Sequence, residues 1–259
     1  MNGPPTSTAP DTDAAGTLYG IGLGPGDPEL ITVKGLRLLR SAEVVFLPTR
    51  RADAPSYAGV IAAEYLDPAR QEIVPLVYPA VRGERAVARW NANADEIAAR
   101  LRGGRGGAFL TEGDPLLYST FVHALLPLRQ RHPSVAVHVV PGIWSGGAAA
   151  ARLAEPLVDG EERLAVVPAT YALAELTAIL RTFDTVVVLK PGADLAALRS
   201  AVASAGASAA WVERVGRPEE RVVRDLAALP DACADYFALL IARGARTRLK
   251  LESSNAETV

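Results

Sequence analysis

The residues best placed for chemistry lie in the run Thr111-Glu112-Gly113-Asp114-Pro115-Leu116-Leu117-Tyr118-Ser119-Thr120-Phe121, directly after the apolar pair Phe109-Leu110. A strand ending in glycine, a carboxylate and a proline reads as a tight ligand-binding turn. Gly113 lets another molecule reach the backbone, Asp114 and Pro115 start the next element, and Tyr118, Ser119 and Thr120 set hydroxyls on its first turns.

A second stretch, Gly20-Ile21-Gly22-Leu23-Gly24-Pro25-Gly26-Asp27-Pro28-Glu29-Leu30-Ile31-Thr32-Val33-Lys34-Gly35, has the strand, glycine-rich loop and helix of a dinucleotide site. The spacing excludes that. A G-x-G-x-x-G series from Gly20 needs glycine where Pro25 stands, and one from Gly22 needs it where Asp27 stands. No G-x-x-x-x-G-K-[ST] cradle is present, and Pro25 removes a donor that a pyrophosphate would want. What remains is an uncharged wall of backbone suited to a bulky planar ligand.

These turns need strands to carry them. Apolar runs at 18–22, 44–48, 72–77, 108–111, 135–140, 164–168, 185–189, 209–212 and 236–241 read as strands. Helical stretches are expected at 32–41, 55–65, 84–102, 118–131, 145–153, 171–181 and 194–205, with Thr32 as the N-cap of the first. The alternation predicts α/β architecture. Pro141-Gly142 divides it into an amino-terminal domain, 17–140, and a carboxy-terminal domain, 141–248, with a cleft between them. Residues 1–16 and 249–259 have no periodic apolar pattern and read as a disordered extension and a flexible tail.

The bulk composition narrows the function classes. In 259 residues, 49% are apolar, which supports a substantial core, and the net charge of −2 argues against a general nucleic-acid binder. Neither a signal peptide nor an apolar run of about 20 residues is seen, so no membrane partner is expected. Cys233 is the only cysteine, which fits a reducing, cytoplasmic setting. His123, His132 and His138 lack metal-ligand spacing, so no protein-bound metal is expected.

GLGPGDPELITVKG together with TEGDPLLYSTF resembles the tetrapyrrole (corrin/porphyrin) methylases, which move methyl groups from S-adenosylmethionine to corrin and sirohaem precursors. Val139-Val140-Pro141-Gly142-Ile143 with Ser145, and Glu213-Arg214 with Arg217-Pro218-Glu219-Glu220, extend the likeness across 18–241. Leu47-Pro48-Thr49-Arg50, Tyr118-Ser119-Thr120-Phe121 and Val167-Pro168-Ala169-Thr170-Tyr171 resemble the branch acting on carbon-20 of precorrin-2 or its cobalt form, in cobalamin biosynthesis. The resemblance implies two α/β domains of the class III methyltransferase fold with the cofactor in the cleft between them, and a homodimer.

It also implies S-adenosylmethionine contacts at Pro25, Glu112, Gly113, Asp114, Leu117, Thr120, Trp144, Ser145, Ala169 and Thr170, mostly through backbone groups; Asp114 has the alternative role of helix cap. Trp144 departs from the family's small or hydroxyl residue. Its indole has three courses open: narrowing the pocket, stacking on a ligand or turning into the domain interface. The sulfonium methyl is already activated, so orientation, with a contribution of roughly 7–11 kcal/mol, is the main demand. Methylating a ring-bridging carbon leaves a proton to be lost, to a base or by electron flow directed from the pyrrole nitrogens. Tyr118, then His123 and Asp114, are the catalytic candidates. Arg50, Arg51, Arg82, Arg85 and Arg89 are the candidate anchors for substrate carboxylates, which guanidinium forks bind in bidentate fashion. Another regiochemistry, a peptide-methylating relative and a non-catalytic cofactor binder are the competing readings.

Overall fold

Short runs of Val, Ile, Leu and Phe between amphipathic stretches can bury both faces as parallel strands with helices above and below. The structure, a computed structural model, describes residues 15–79, 83–169, 174–191, 194–229 and 235–245. The chain divides into two compact units, one ending at Trp144 and the other beginning at Ser145.

In the first unit, β1 (Thr17–Gly22), β2 (Val44–Thr49), β3 (Glu72–Val77), β4 (Gly106–Thr111) and β5 (Ala136–Val140) form a sheet in the order β3-β2-β4-β1-β5. Every pairing in it is parallel. Helices α1 (Val33–Ser41) and α2 (Tyr57–Ile61) cover one face, where Leu38, Leu39 and Ile61 meet Ile21, Val45 and Leu110. Helices α3 (Glu84–Arg100) and α4 (Val122–Arg131) cover the other, setting Ile97, Leu125 and Leu128 against Leu18, Phe46 and Phe109.

The neighbouring strands β1 and β4 therefore send their chains to opposite faces, β1 to α1 and β4 to α4. At such a reversal the loops part above the carboxyl ends of the strands, which is where open α/β sheets take ligands. Caps fix where the helices start and stop. The Thr32 hydroxyl accepts from the Gly35 N–H at 3.0 Å, and the buried Gln71 amide donates to the Leu39 and Ala42 carbonyls at 2.7 and 3.2 Å, closing the end of α1.

In the second unit, β6 (Leu164–Pro168), β7 (Thr185–Leu189), β8 (Ser208–Glu213), β9 (Arg221–Val223) and β10 (Ala238–Arg243) form a sheet in the order β6-β7-β10-β8-β9. Only β6 and β7 pair in parallel; β10 runs antiparallel between β7 and β8, and β9 is antiparallel to β8. Among the described residues β9 and a 3-10 turn, Leu226–Ala228, lie between β8 and β10, and β10 runs back antiparallel to β8. Helix α5 (Ser145–Leu153) packs on β10, while α6 (Leu176–Thr182) and α7 (Leu195–Ser204) bury Leu180, Leu198 and Val202 against Val188, Trp211 and Leu240.

Arg243 is only 2% exposed and donates to the Pro156 and Leu157 carbonyls and to the Thr185 hydroxyl. Burial lowers its pKa, opposed by Glu155 and Glu162. It ties the turn after α5 to β7 and β10.

Several elements differ from expectation. The helix expected from Tyr118 begins at Val122, because Tyr118 has φ 51° and Ser119 to Phe121 form tight turns ahead of the helix. The helix expected at 55–65 is α2 followed by a 3-10 turn, Ala63–Tyr65, and the one expected from Tyr171 is described from Leu176. The strand β9 was not expected: its three residues carry no periodic signal and are held by pairing to β8. Cys233 lies outside the described residues, as do 1–14 and the tail from 246.

Candidate functional site

The two glycine-rich stretches meet at the carboxyl edge of the first sheet, where three turns lock together. Gly113 donates its N–H to the Gly24 carbonyl at 2.8 Å, forming an isolated bridge between the loops after β1 and β4. The Asp114 carboxylate reaches both ways, accepting from Leu116 N–H at 2.9 Å and from Gly142 N–H at 3.0 Å. Asp114 thus fastens the aspartate turn to the Pro-Gly exit of β5, and the alternative role of capping the following helix is not the one seen. Ser119 takes the nearer position, its hydroxyl accepting from Phe121 N–H at 3.1 Å and pairing with Thr111 Oγ1 at 2.8 Å.

Two close approaches explain Gly20 and Gly142. A Cβ on Gly20 would lie 2.3 Å from the Phe121 ring, so the aromatic end of the aspartate run sits directly on β1. A Cβ on Gly142 would lie 2.3 Å from the Gly113 carbonyl and 2.7 Å from the Gly22 Cα. Three segments distant in sequence are in backbone contact there, with no room for side chains. Gly113 itself is different: with φ 69°, a Cβ on it would meet nothing within 4 Å. The exposed Leu116, Leu117 and Tyr118 follow it in the chain, and Ile143 beyond Gly142 is exposed too.

The topology brings further expected residues to this edge. Arg50 and Arg51 follow β2, and Arg85 and Arg89 occupy the first turns of α3 after β3; all four are exposed. Arg51 pairs with Asp53 at 3.3 Å. His123 stands in the first turn of α4, its ring stacked on Trp90 of α3 with centroids 3.9 Å apart and planes at 12°. Pro25 is buried, Glu112 and Thr120 are half-buried, and Trp144, also half-buried, is the last residue of the first unit. Arg82 and Thr170 lie outside the described residues.

In the second unit, Ser145 opens α5, and Ala169 is buried in the core at the end of β6, which leaves its backbone as the group to offer. Sequence reading missed a pair of kinks in this unit. Lys190 after β7 and Arg214 after β8 have φ 55° and 48°, unusual for non-glycine residues. Their N–H groups bond the Ala238 and Phe237 carbonyls on either side of β10. Lys190 Nζ lies 4.9 Å from the centre of the Tyr236 ring, and Arg214 pairs with Asp235 at 2.6 Å. Beside them the buried Glu213 accepts from Trp211 Nε1 at 2.8 Å and pairs with Arg221 at 2.9 Å.

With this geometry in place, the comparisons are specific. The profile of the Tetrapyrrole (Corrin/Porphyrin) Methylases matches residues 17–230. The chain belongs to the tetrapyrrole methylase family. Within the family it is similar to the cobalamin biosynthesis protein CobIJ of Mycobacterium tuberculosis H37Rv, at 39% identity over 254 residues. That match takes in 94% of this chain but 49% of CobIJ, so the chain spans about half the length of that relative. It is also similar to the precorrin-2 C(20)-methyltransferase of a Sinorhizobium species, at 35% identity, covering 90% of this chain and 97% of that one. Among solved structures, the uroporphyrin-III C-methyltransferase of Thermus thermophilus in complex with S-adenosylhomocysteine superposes with a TM-score of 0.62 at 25% identity, covering 88% of this chain and 97% of that chain. The fold of this tetrapyrrole methylase is thus the family's, two α/β units.

Proposed function

We propose that this chain transfers a methyl group from S-adenosylmethionine to carbon-20 of precorrin-2 or its cobalt-bearing form, in cobalamin biosynthesis. The observation that carries this reading is the lock of Gly24, Gly113, Asp114 and Gly142 at the reversal between β1 and β4, in a chain of this family with 35% identity to a C(20)-methyltransferase.

The residues present fit the methyl donor. Gly113 turns an open backbone outward at the end of β4, and Leu116 and Leu117 just after it supply exposed apolar surface. The donor's flat adenine ring asks for such an apolar wall, and its ribose and its charged amino-acid end ask for main-chain groups beside it. When bound, the donor supplies an activated methyl on a positive sulfur. Everything else falls to the chain: Asp114 keeps the turn from opening, Tyr118 offers a ring and hydroxyl at the edge, and the arginines after β2 and in α3 meet peripheral carboxylates. The reading extends to a homodimer, for which light scattering is the check.

The test is methyl transfer itself. With S-adenosylmethionine and enzymatically made precorrin-2, metal-free and cobalt-loaded, mass spectrometry is expected to find one added methyl, and carbon-13 labelling to place it at carbon-20. A methyl on another carbon overturns the regiochemistry. No methyl on either form, from folded protein that binds the donor, overturns the reading.

A further inference from the structure

Trp90 and His123 form the closest aromatic stack among the described residues, and the stack has a cost attached. The ring planes are nearly parallel and the centroids 3.9 Å apart, tighter than the 5.5 Å of Tyr19 and His138. The indole Nε1 is buried with no hydrogen-bond partner. Asn93, one turn along α3 from Trp90, spends its amide on the Val77 carbonyl at 2.9 Å. A phenyl or leucyl group would fill this space without stranding an N–H. What the indole adds is a broad, electron-rich face against the imidazole. The imidazole is in the first turn of α4, at the same sheet edge as the three locked turns.

We infer that Trp90 is a positioning residue that holds His123 to receive the proton lost from the methylated carbon. This rests on the methyl-transfer reading above. In the step, the carbon–methyl bond forms as the sulfur–methyl bond breaks, leaving a neutral thioether. The carbon–hydrogen bond at the same carbon then breaks, its electron pair returns to the ring π system, and the proton passes to an imidazole nitrogen of His123. The indole face attracts the imidazolium so formed, which passes the proton to water.

The test compares Trp90→Phe, Trp90→Leu and His123→Ala with the wild-type chain. Trp90→Phe keeps a stacking face and is expected to stay within about twofold of wild-type kcat. Trp90→Leu is expected to lower kcat about tenfold with KM within about twofold, counted per molecule that binds the methyl donor, so that loss of folded protein is not scored as loss of chemistry. His123→Ala is expected to lose at least as much and to regain rate with added imidazole. Independently of activity, His123→Ala is expected to raise tryptophan emission by removing the ring that lies on Trp90. An active wild type with His123→Ala of equal kcat overturns this inference alone. A wild type that methylates no tetrapyrrole overturns the function reading and takes this inference with it.

Discussion

Gly142 and Gly113 are both glycines in the site, and the structure separates their roles. At Gly142 a methyl group would strike the Gly113 carbonyl and the Gly22 backbone, neither of which can swing aside. Gly142→Ala is therefore expected to push the three turns apart, lowering the melting temperature and weakening methyl-donor binding together. At Gly113 the added methyl meets open space, and only the left-handed backbone resists it, by roughly 1–2 kcal/mol. Gly113→Ala is expected to leave a folded chain whose donor affinity falls by more than its stability does. Calorimetric unfolding alongside titration with S-adenosylhomocysteine checks both. Equal effects at the two positions would show that the open side of Gly113 faces no ligand.

Among the elements, α3 and α4 are joined at their outer surface by Asp95, which takes two bonds from Arg131 at 2.9 and 2.7 Å and contacts His132 at 2.7 Å. Those bonds, Arg131's first, hold the Asp95 carboxyl down at about 2. A depressed carboxylate pKa stabilises the fold at pH values above the unfolded value near 4, and that contribution fades as pH falls through the folded value. Asp95→Asn is expected to be less stable than wild type at pH 6, with the difference shrinking between about pH 4 and pH 2. Urea midpoints across that range test it, and a difference independent of pH would mean that the ion pair is not its source. The same pair of helices shows what the sequence hides. The strand runs and Thr32 cap were legible because each is written in neighbouring residues. The start of α4 was not, since it is set by Phe121 lying on Gly20, and the partner of Asp114 was not, since Gly142 is 28 positions away. Likewise β9 exists only through its pairing with β8. The arginines could be picked out as a type, but nothing local says which of them an acid like Asp53 has already engaged.

At the scale of the molecule, the two units are stabilised by different means. The first is a parallel sheet covered on both faces by helices, and the positions of its strands, though not their order, can be read from apolar runs alone. The second mixes strand directions and uses a buried guanidinium, Arg243, to hold the turn after α5. Replacing it by Leu removes the donor and leaves the Pro156 carbonyl and its neighbours to find others, at a cost on the order of 3 kcal/mol. Arg243→Leu is expected to lower the melting temperature and to speed hydrogen exchange first in 154–158. Exchange rising evenly over the whole chain instead would show that this guanidinium does not act locally.

The interlocked turns at the first sheet also bear on how such enzymes can be re-engineered. Gly22 to Gly24, the run from Thr111 to Phe121 and the Pro141-Gly142 corner touch backbone to backbone, so none of them has a shape independent of the others. A chimera that borrows only the aspartate run from a relative inherits a carboxylate and a ring with no matching seat. The unit of exchange between relatives is the set of three segments, moved as one cassette together with Gly20 beneath it.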